Sequence, residues 1–235
     1  MHRICVAIWE TGEWPKEWTF YTFIPLPKKG DVKQCANYRT IALVSHASKI
    51  LLRIILERIR VKTETVIADE RAGFRQGTGT RDQITNVRIL MHKAREHQQP
   101  LDMCFVDFKK AFDSISHGKL WVTMMDMGYP LHVIDLLAKL YKKQLANVKV
   151  AGTLSQWFCV KKGARQGCVL SPYLFNIVAE MVMRETLDGC QGGVQIGGQM
   201  ITNLRYADDI ILLATSEAEL HGLVDRLDRV SRKYR

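Results

Sequence analysis

Two apolar strings in this chain run into carboxylates. Asp107 follows LDMCFV, and the pair Asp208 and Asp209 stands between Leu204 and Tyr206 on one side and IILLA on the other. Short apolar runs bounded by turn residues read as buried strands, and a charged group there costs free energy unless something pairs it. A cation is the simplest partner. If the two strand ends lie side by side, three carboxylates converge in one metal-sized volume, where like charges repel unless divalent ions neutralise them. Oxygen donors without a Cys or His partner favour Mg²⁺ over zinc. Two such ions, roughly 4 Å apart, suit phosphoryl transfer, one orienting an attacking hydroxyl and the other holding the charge of a leaving pyrophosphate. Taken separately, an Asp-Asp pair is commonly a turn and a lone Asp a helix cap. The ordered set is more specific.

The rest of the chain alternates strands and helices with no repeat period and no dinucleotide-binding fingerprint, which predicts a mixed α/β (α+β) fold. TFYTFIPLP, with prolines at 25 and 27, reads as a strand ending before the polar turn KKGDVKQCAN, and a second extended piece begins at Tyr38. From about Ser45 to Arg60, Ile50, Leu51, Ile54, Ile55 and Ile59 fall on one helical face, with Arg58 snorkelling at its edge. AGFRQGTGTRDQI holds three glycines in seven residues and feeds a helix from Asp82 and Gln83. That loop reads equally as a phosphate-approaching segment and as a plain connection. A helix from KKAFD stops at Gly128 and Pro130, LHVIDLLAKLY is a second helix, and NVKVAGTLSQWFCVKKG is a strand pair. Leu174, Ile177, Val178, Met181 and Val182 share one helical face after Pro172, and Ser216 with Glu219 forms a capping box before a final helix.

Composition narrows the partners. Lys plus Arg number 34 against 24 Asp plus Glu, a formal +10, which is compatible with a phosphate-rich ligand. Most of it is local: residues 28–62 carry Lys28, Lys29, Lys33, Arg39, Lys49, Arg53, Arg58, Arg60 and Lys62 against Asp31 and Glu57, a net +7. A solvated helix face accounts equally well for Arg53, Arg58 and Arg60. The six cysteines show no zinc-site spacing and read as buried free thiols. The amino terminus meets Glu10, Glu13 and Pro15 where a signal peptide would need an apolar core, and the longest apolar segment is broken by Arg53, Glu57 and Arg58. An intracellular protein, cytoplasmic and/or nuclear and neither secreted nor membrane-spanning, is expected.

FVDFKKAFD (105–113), GARQGCVLSP (163–172) and YADD (206–209) resemble, in that order, the palm motifs of reverse transcriptases. NYRTIAL and AGFRQGTGTRDQI resemble the fingers motifs of non-LTR (LINE-like) retrotransposons, nearest the RTE or BovB type, and the match runs from about residue 14 to the end. The resemblance implies a right-hand polymerase, with fingers over about 14–100 and a palm, an antiparallel sheet backed by helices, over about 101–235. It implies RNA-directed DNA synthesis with two Mg²⁺ ions (Mn²⁺ as a substitute), an RNA template, a DNA primer and deoxynucleoside triphosphates.

The same resemblance assigns roles. Asp107 and Asp208 would be the principal metal ligands, Asp209 a companion carboxylate, and the Phe108 carbonyl a further ligand. Phe112 would lie under the incoming sugar and exclude a 2′-hydroxyl, although packing among its apolar neighbours also accounts for a ring there. Gln166 and Gly167 would border nucleotide and template, Lys29 (or its neighbour Lys28) and Arg39 would clamp the triphosphate, and Arg75 would touch template. Ser116 departs from the pattern, standing where this type commonly has an acidic residue before the histidine. The chain is expected to lack the thumb, the end of the palm and an upstream endonuclease. A competing expectation is therefore an inactive truncated retroelement remnant that folds and binds RNA without polymerising. Oligomeric state is left open.

Overall fold

The aromatic run bounded by prolines forms the strand Phe20–Pro27 in a computed structural model that describes residues 1–75, 77–108, 110–190, 192–196 and 198–234. Gln76 of the glycine-rich loop, Lys109 of the first carboxylate motif and the terminal Arg235 lie outside the described residues. Two units divide the chain, each drawn from separate stretches: Met1–Thr63 with Phe112–Phe175, and Glu64–Ala111 with Asn176–Arg235.

In the first unit, Phe20–Pro27 pairs antiparallel with Tyr38–Val44 along its whole length and parallel with Leu145–Val150 over Phe20 to Phe23 only. Both prolines lie past Phe23, where that second neighbour has stopped, so a missing N–H is tolerated on the open side. Alternation along the strands brings Tyr21, Ala42, Val44 and Ala146 into one core cluster, with Phe23 and Val160 against it. Leu145–Val150 reverses through Ala151 and Gly152, both at positive φ (47° and 85°), into Thr153–Leu154. That is the backbone a tight two-residue hairpin requires. Phe158–Cys159 then pairs with the start of the same strand.

The helix His46–Val66 runs beyond the expected end at Arg60, and its buried line is Leu51, Leu52, Ile55, Ile59 and Thr63. Ile50 and Ile54, expected on that face, are 48% and 41% exposed. The apolar stripe is wider than the surface that covers it, so sequence periodicity located the face but not its edge. Arg58 is exposed and lays its guanidinium over the Trp9 ring at 3.9 Å, a cation–π contact. The segment expected as one helix up to Gly128 is two pieces, Ala111–Ser114 and His117–Asp126, the latter preceded by Ser116, whose side chain makes no capping hydrogen bond. Leu131–Lys142 follows.

The second unit is organised by a four-stranded sheet in the order Arg71–Ala72, Asn203–Tyr206, Asp209–Ala214, Asp102–Asp107. The first pairing is parallel and the other two antiparallel. Leu90 of the helix Thr80–Glu96, with Val194, Leu204 and Leu213, builds its core. The last helix, Glu217–Lys233, is capped as expected, Ser216 Oγ accepting from Glu219 N at 3.3 Å. The return bond lands one residue early, since Glu219 Oε2 accepts from Thr215 N at 3.0 Å. Ser171–Leu187 was expected to bury one face, yet every residue from Leu174 to Glu180 is buried. The six cysteines are free, but Cys35 and Cys159 are exposed and only Cys168 is fully buried. Among the described residues no helix is long and apolar enough to cross a membrane.

Candidate active site

Tyr206 pairs with Asp209 across the antiparallel hairpin, so Ala207 and Asp208 form its two-residue turn. Ala207 takes φ 51°, the left-handed conformation such a turn demands. On the far side of Asp209 lies the strand Asp102–Asp107, in a register that sets Asp107 opposite Asp209. Directly opposed residues project to the same face with Cβ atoms about 5 Å apart. Two carboxylates thus share one face at the strand ends, and Asp208 adjoins them in the turn. Loss of solvent, then the Asp208 and Asp107 charges, push the Asp209 carboxyl above its ordinary pKa.

These groups fit a hard divalent cation in chemistry: their donors are all oxygens, and the repulsion felt by Asp209 is what a cation there would relieve. They are not a closed cage, since among the described residues no three Asp, Glu, His or Cys side chains come near enough together to hold an ion.

The turn is held from beneath by residues that sequence reasoning passed over. Arg71, fully buried, donates from Nη1 to the Ala207 carbonyl at 3.0 Å and to Asn176 Oδ1 at 3.1 Å. Asn176 Nδ2 donates in turn to the Gly73 carbonyl at 3.2 Å, and Ala207 N to Ala72 O at 3.2 Å. Gly73 sits at φ +87°, and a Cβ there would fall 2.6 Å from Ala207 N, so only glycine lets the two loops approach. Burial, reinforced by the Arg205 charge, pushes Arg71 down to about 9, with Glu180 opposing, which leaves it cationic at neutral pH. Arg205 Nη1 meets Glu180 Oε2 at 2.8 Å, the two side chains being 3% and 2% exposed. The signal was present as polar residues at matched periods: Asn176 and Glu180 are four apart on a helix, Asn203 and Arg205 two apart on a strand.

The other expected site residues fall into two groups. Phe108 directly follows Asp107 in the second unit. Arg75, in the same unit, turns inward: Nε meets Glu64 Oε2 at 2.9 Å and Nη1 donates to the Ala68 and Arg71 carbonyls at 2.9 and 3.2 Å. Lys29, Arg39, Phe112, Gln166 and Gly167 belong to the first unit. There the hairpin of Phe20–Pro27 and Tyr38–Val44 sets Leu26 opposite Arg39 and closes with Lys28 N donating to Asn37 O at 2.7 Å. Lys28, Lys29, Lys33 and Arg39 are exposed at this end of it. The Gln166 carbonyl accepts from Ala42 N at 2.7 Å, and Gly167, at φ +101°, would place a Cβ 3.1 Å from Ala42 O. The glycine is thus required first by its own docking on that strand. Phe112, half-buried, stacks on Phe175 with ring centroids 4.8 Å apart.

Residues 26–235 match the family described as reverse transcriptase (RNA-dependent DNA polymerase). The chain belongs to that family. Its curated relatives place it with the reverse transcriptase domains of non-LTR retrotransposons. It is 26% identical over 210 residues to the Pol polyprotein of the R2 element of Popillia japonica, covering 89% of this chain and 29% of that protein. To the 149 kDa protein of transposon TX1 from Xenopus laevis it is 28% identical, over 93% of this chain and 17% of that protein. This reverse transcriptase chain therefore spans less than a third of the length of those relatives. Among solved structures, apo telomerase from Candida tropicalis superposes with a TM-score of 0.69 at 12% identity, over 94% of this chain and 43% of that one. That likeness shows the fold, the fingers and palm of a right-hand polymerase, in agreement with the mixed α/β class expected.

Proposed function

We propose that this chain carries the catalytic core of an RNA-directed DNA polymerase, adding deoxynucleotides to a DNA 3′-hydroxyl on an RNA template. The observation that carries the reading is the strand register opposing Asp107 to Asp209 with Asp208 in the adjoining turn, inside the matched region. In this reading Asp107, Asp208, Asp209 and the Phe108 carbonyl hold two divalent ions, Mg²⁺ or Mn²⁺. When bound, such ions lower the pKa of the attacking hydroxyl and balance the charge on the leaving pyrophosphate.

The chain's own residues do the positioning. Lys29 or Lys28, with Arg39, meets the triphosphate from the exposed end of the basic hairpin, where charge attracts phosphate without being spent on internal pairs. Phe112 borders the sugar, its ring braced on Phe175. Gln166 and Gly167 line the nucleotide side of a loop fixed to Ala42. Arg75 reaches template only by leaving Glu64, so its part is the costlier one. Curated relatives are named as retrotransposon polyproteins, and solved neighbours include telomerase of Candida albicans in complex with a fragment of telomeric RNA, which supports RNA as the template class. Among non-LTR elements the RTE or BovB type is the one its motifs resemble.

Primer extension on an RNA template with all four deoxynucleotides and Mg²⁺ is the test. Extension is expected from the unaltered chain and should vanish in Asp208→Asn while RNA binding persists. Extension indifferent to that substitution sinks the mechanism. RNA binding without incorporation by the unaltered chain favours the non-polymerising remnant instead.

A further inference from the structure

The loop that carries Gln166 and Gly167 is fastened at each of the three residues before them, all within the first unit. Gly163 N donates to Ile115 O at 2.7 Å, and the Gly163 carbonyl meets His117 Nε2 at 2.9 Å. Ala164 N donates to Phe112 O at 2.8 Å, so the residue proposed to border the sugar holds this loop through its own backbone. The Arg165 carbonyl accepts from Ser171 Oγ at 2.6 Å and from Cys168 N at 2.9 Å.

The Arg165 side chain is the deepest of these anchors, at 3% exposure. Its guanidinium lies 4.7 Å from the centre of the Tyr21 ring and 5.7 Å from that of Tyr141. With the buried Gln144 amide turned to serve both neighbours, its oxygen accepts from Arg165 Nε and Nη2 at 3.1 Å each and its nitrogen donates to Tyr21 Oη at 3.2 Å. A planar fork gripped at two nitrogens and laid on a ring is held in one orientation. Stability alone does not call for it. Nη1 is buried without a hydrogen-bond partner, and among the described residues the guanidinium meets rings and an amide rather than a carboxylate. A packed apolar side chain would avoid that desolvation.

We propose that Arg165 is a positioning residue for nucleotide binding, its buried guanidinium fixing the backbone from which Gln166 and Gly167 face the nucleotide. The inference rests on the reading of this chain as a polymerase and adds to it a residue that touches neither nucleotide nor ion. Gln166 is half-buried and Gly167 exposed, directly beside the buried anchor. The Gln166 carbonyl is already engaged by Ala42 N at 2.7 Å, so its side chain is the part that meets a ligand. Binding groups must be held to about 0.5 Å by neighbours whose own rotamers are locked, and an error of about 1 Å can cost about a hundredfold.

The test binds dTTP without turning it over, using the whole chain with Mg²⁺, an RNA template and a primer that ends in a dideoxynucleotide. Dissociation constants are compared for the unaltered chain, Arg165→Met, Gln166→Ala and the double variant, each shown to be folded by circular dichroism. Arg165→Met is expected to weaken dTTP binding at least about tenfold in the unaltered background and less than about threefold where Gln166 is already Ala, because effects that pass through one another do not add. Arg165→Lys keeps the charge, loses the fork and should not restore binding. Should the guanidinium variants fail to fold, Ser171→Ala removes just the hydroxyl donor to the Arg165 carbonyl, and its weakening of dTTP binding should depend on Gln166 in the same way. An equal factor in both backgrounds reduces Arg165 to a structural role and overturns the inference while the polymerase reading stands. Recovery in Arg165→Lys does the same. No dTTP binding by the unaltered chain overturns both.

Discussion

Arg71 Nη1 donates to the carbonyl of Ala207 at 3.0 Å, one residue before Asp208. The bond ties the turn bearing two of the three carboxylates to a side chain with no solvent exposure, and the turn's left-handed residue is thereby held from below. Arg71→Met removes the donor and leaves the Ala207 carbonyl and Asn176 Oδ1 unmatched, at an expected cost of about 2–3 kcal/mol. Denaturant midpoints measure it. A loss under about 1 kcal/mol would show that the turn does not depend on Arg71.

Glu180 is a buried anion of this layer, shared between Arg205 and Arg184. Its 2.8 Å pair with Arg205 is buried on both sides, and breaking such a pair from one end strands the other charge. Glu180→Ala is expected to destabilise by about 3–5 kcal/mol. The companion variant Glu96→Ala, taken from an exposed i,i+3 pair with Lys93 at 2.8 Å, should change stability by less than about 1 kcal/mol. Equal effects would refute a buried electrostatic layer.

Gly73 and Gly77 both sit at positive φ, +87° and +80°, but only Gly73 has backbone 2.6 Å from its absent Cβ while Gly77 faces open space. Gly77→Ala should therefore cost only the conformational strain, about 1 kcal/mol. Gly73→Ala adds displacement of the Ala207 backbone, so it should cost at least about 2 kcal/mol and reduce primer extension beyond its effect on folding. Matching losses in the two variants would place the constraint on backbone angle alone.

What the sequence made legible follows from local physics. Apolar strings beside Asp107 and Asp208–Asp209 read as strands and are strands, paired with Asp107 opposite Asp209; the expected burial is not found, since Asp107 and Asp209 are exposed and Phe105 beside them is 70% exposed. Ser216 announced its cap because the bond spans three residues. What stayed hidden depends on partners far apart in the chain. Arg71 and Arg205 drew no reading from the sequence, because their partners Asn176 and Glu180 lie 105 and 25 residues away. Ile50 and Ile54 read as core because periodicity measures what a helix can bury, not what the fold puts over it. Arg75 read as available, although Glu64 and two carbonyls engage it.

His117 gives the first unit a sensitivity to acid. Burial holds its pKa below the ordinary 6.5, the Gly163 carbonyl partly offsets this at 2.9 Å, and the Arg165 charge adds to the depression. The unfolded chain therefore binds this proton more readily than the folded one. Above 6.5 both states are neutral and stability is undiminished; as pH falls below it, protonation favours unfolding. Denaturation at pH 7.5 and pH 5 (roughly the window in which histidine titrates) should show a decline that is smaller in His117→Gln. An identical decline would assign the acid sensitivity to other groups.

Phe112 tests the sugar gate. Its ring stacks on Phe175 at 4.8 Å, and such a contact is worth about 0.5–1.5 kcal/mol, so Phe112→Ala should fold with a modest loss. If the ring excludes a 2′-hydroxyl, the ratio of deoxynucleotide to ribonucleotide incorporation should fall about tenfold or more, the scale of discrimination by a single apolar contact. A lower rate with an unchanged ratio would reduce Phe112 to packing.

The basic hairpin makes a prediction about salt that is separate from catalysis. Lys28, Lys29 and Lys33 are exposed, and each phosphate contact on a single strand contributes about 0.7 to the slope of log affinity against log salt. Replacing all three with Gln should weaken RNA binding at low salt and flatten that slope by about 2 if each meets a phosphate. The alternative, that these lysines merely solvate the hairpin, predicts parallel lines for the variant and the unaltered chain. Because the slope counts ions released rather than total affinity, it separates the two even if the substitutions shift stability by a few tenths of a kcal/mol. A slope reduced by only about 0.7 would single out one lysine, and repeating the titration with Lys28→Gln and Lys29→Gln separately would decide which neighbour meets the phosphate.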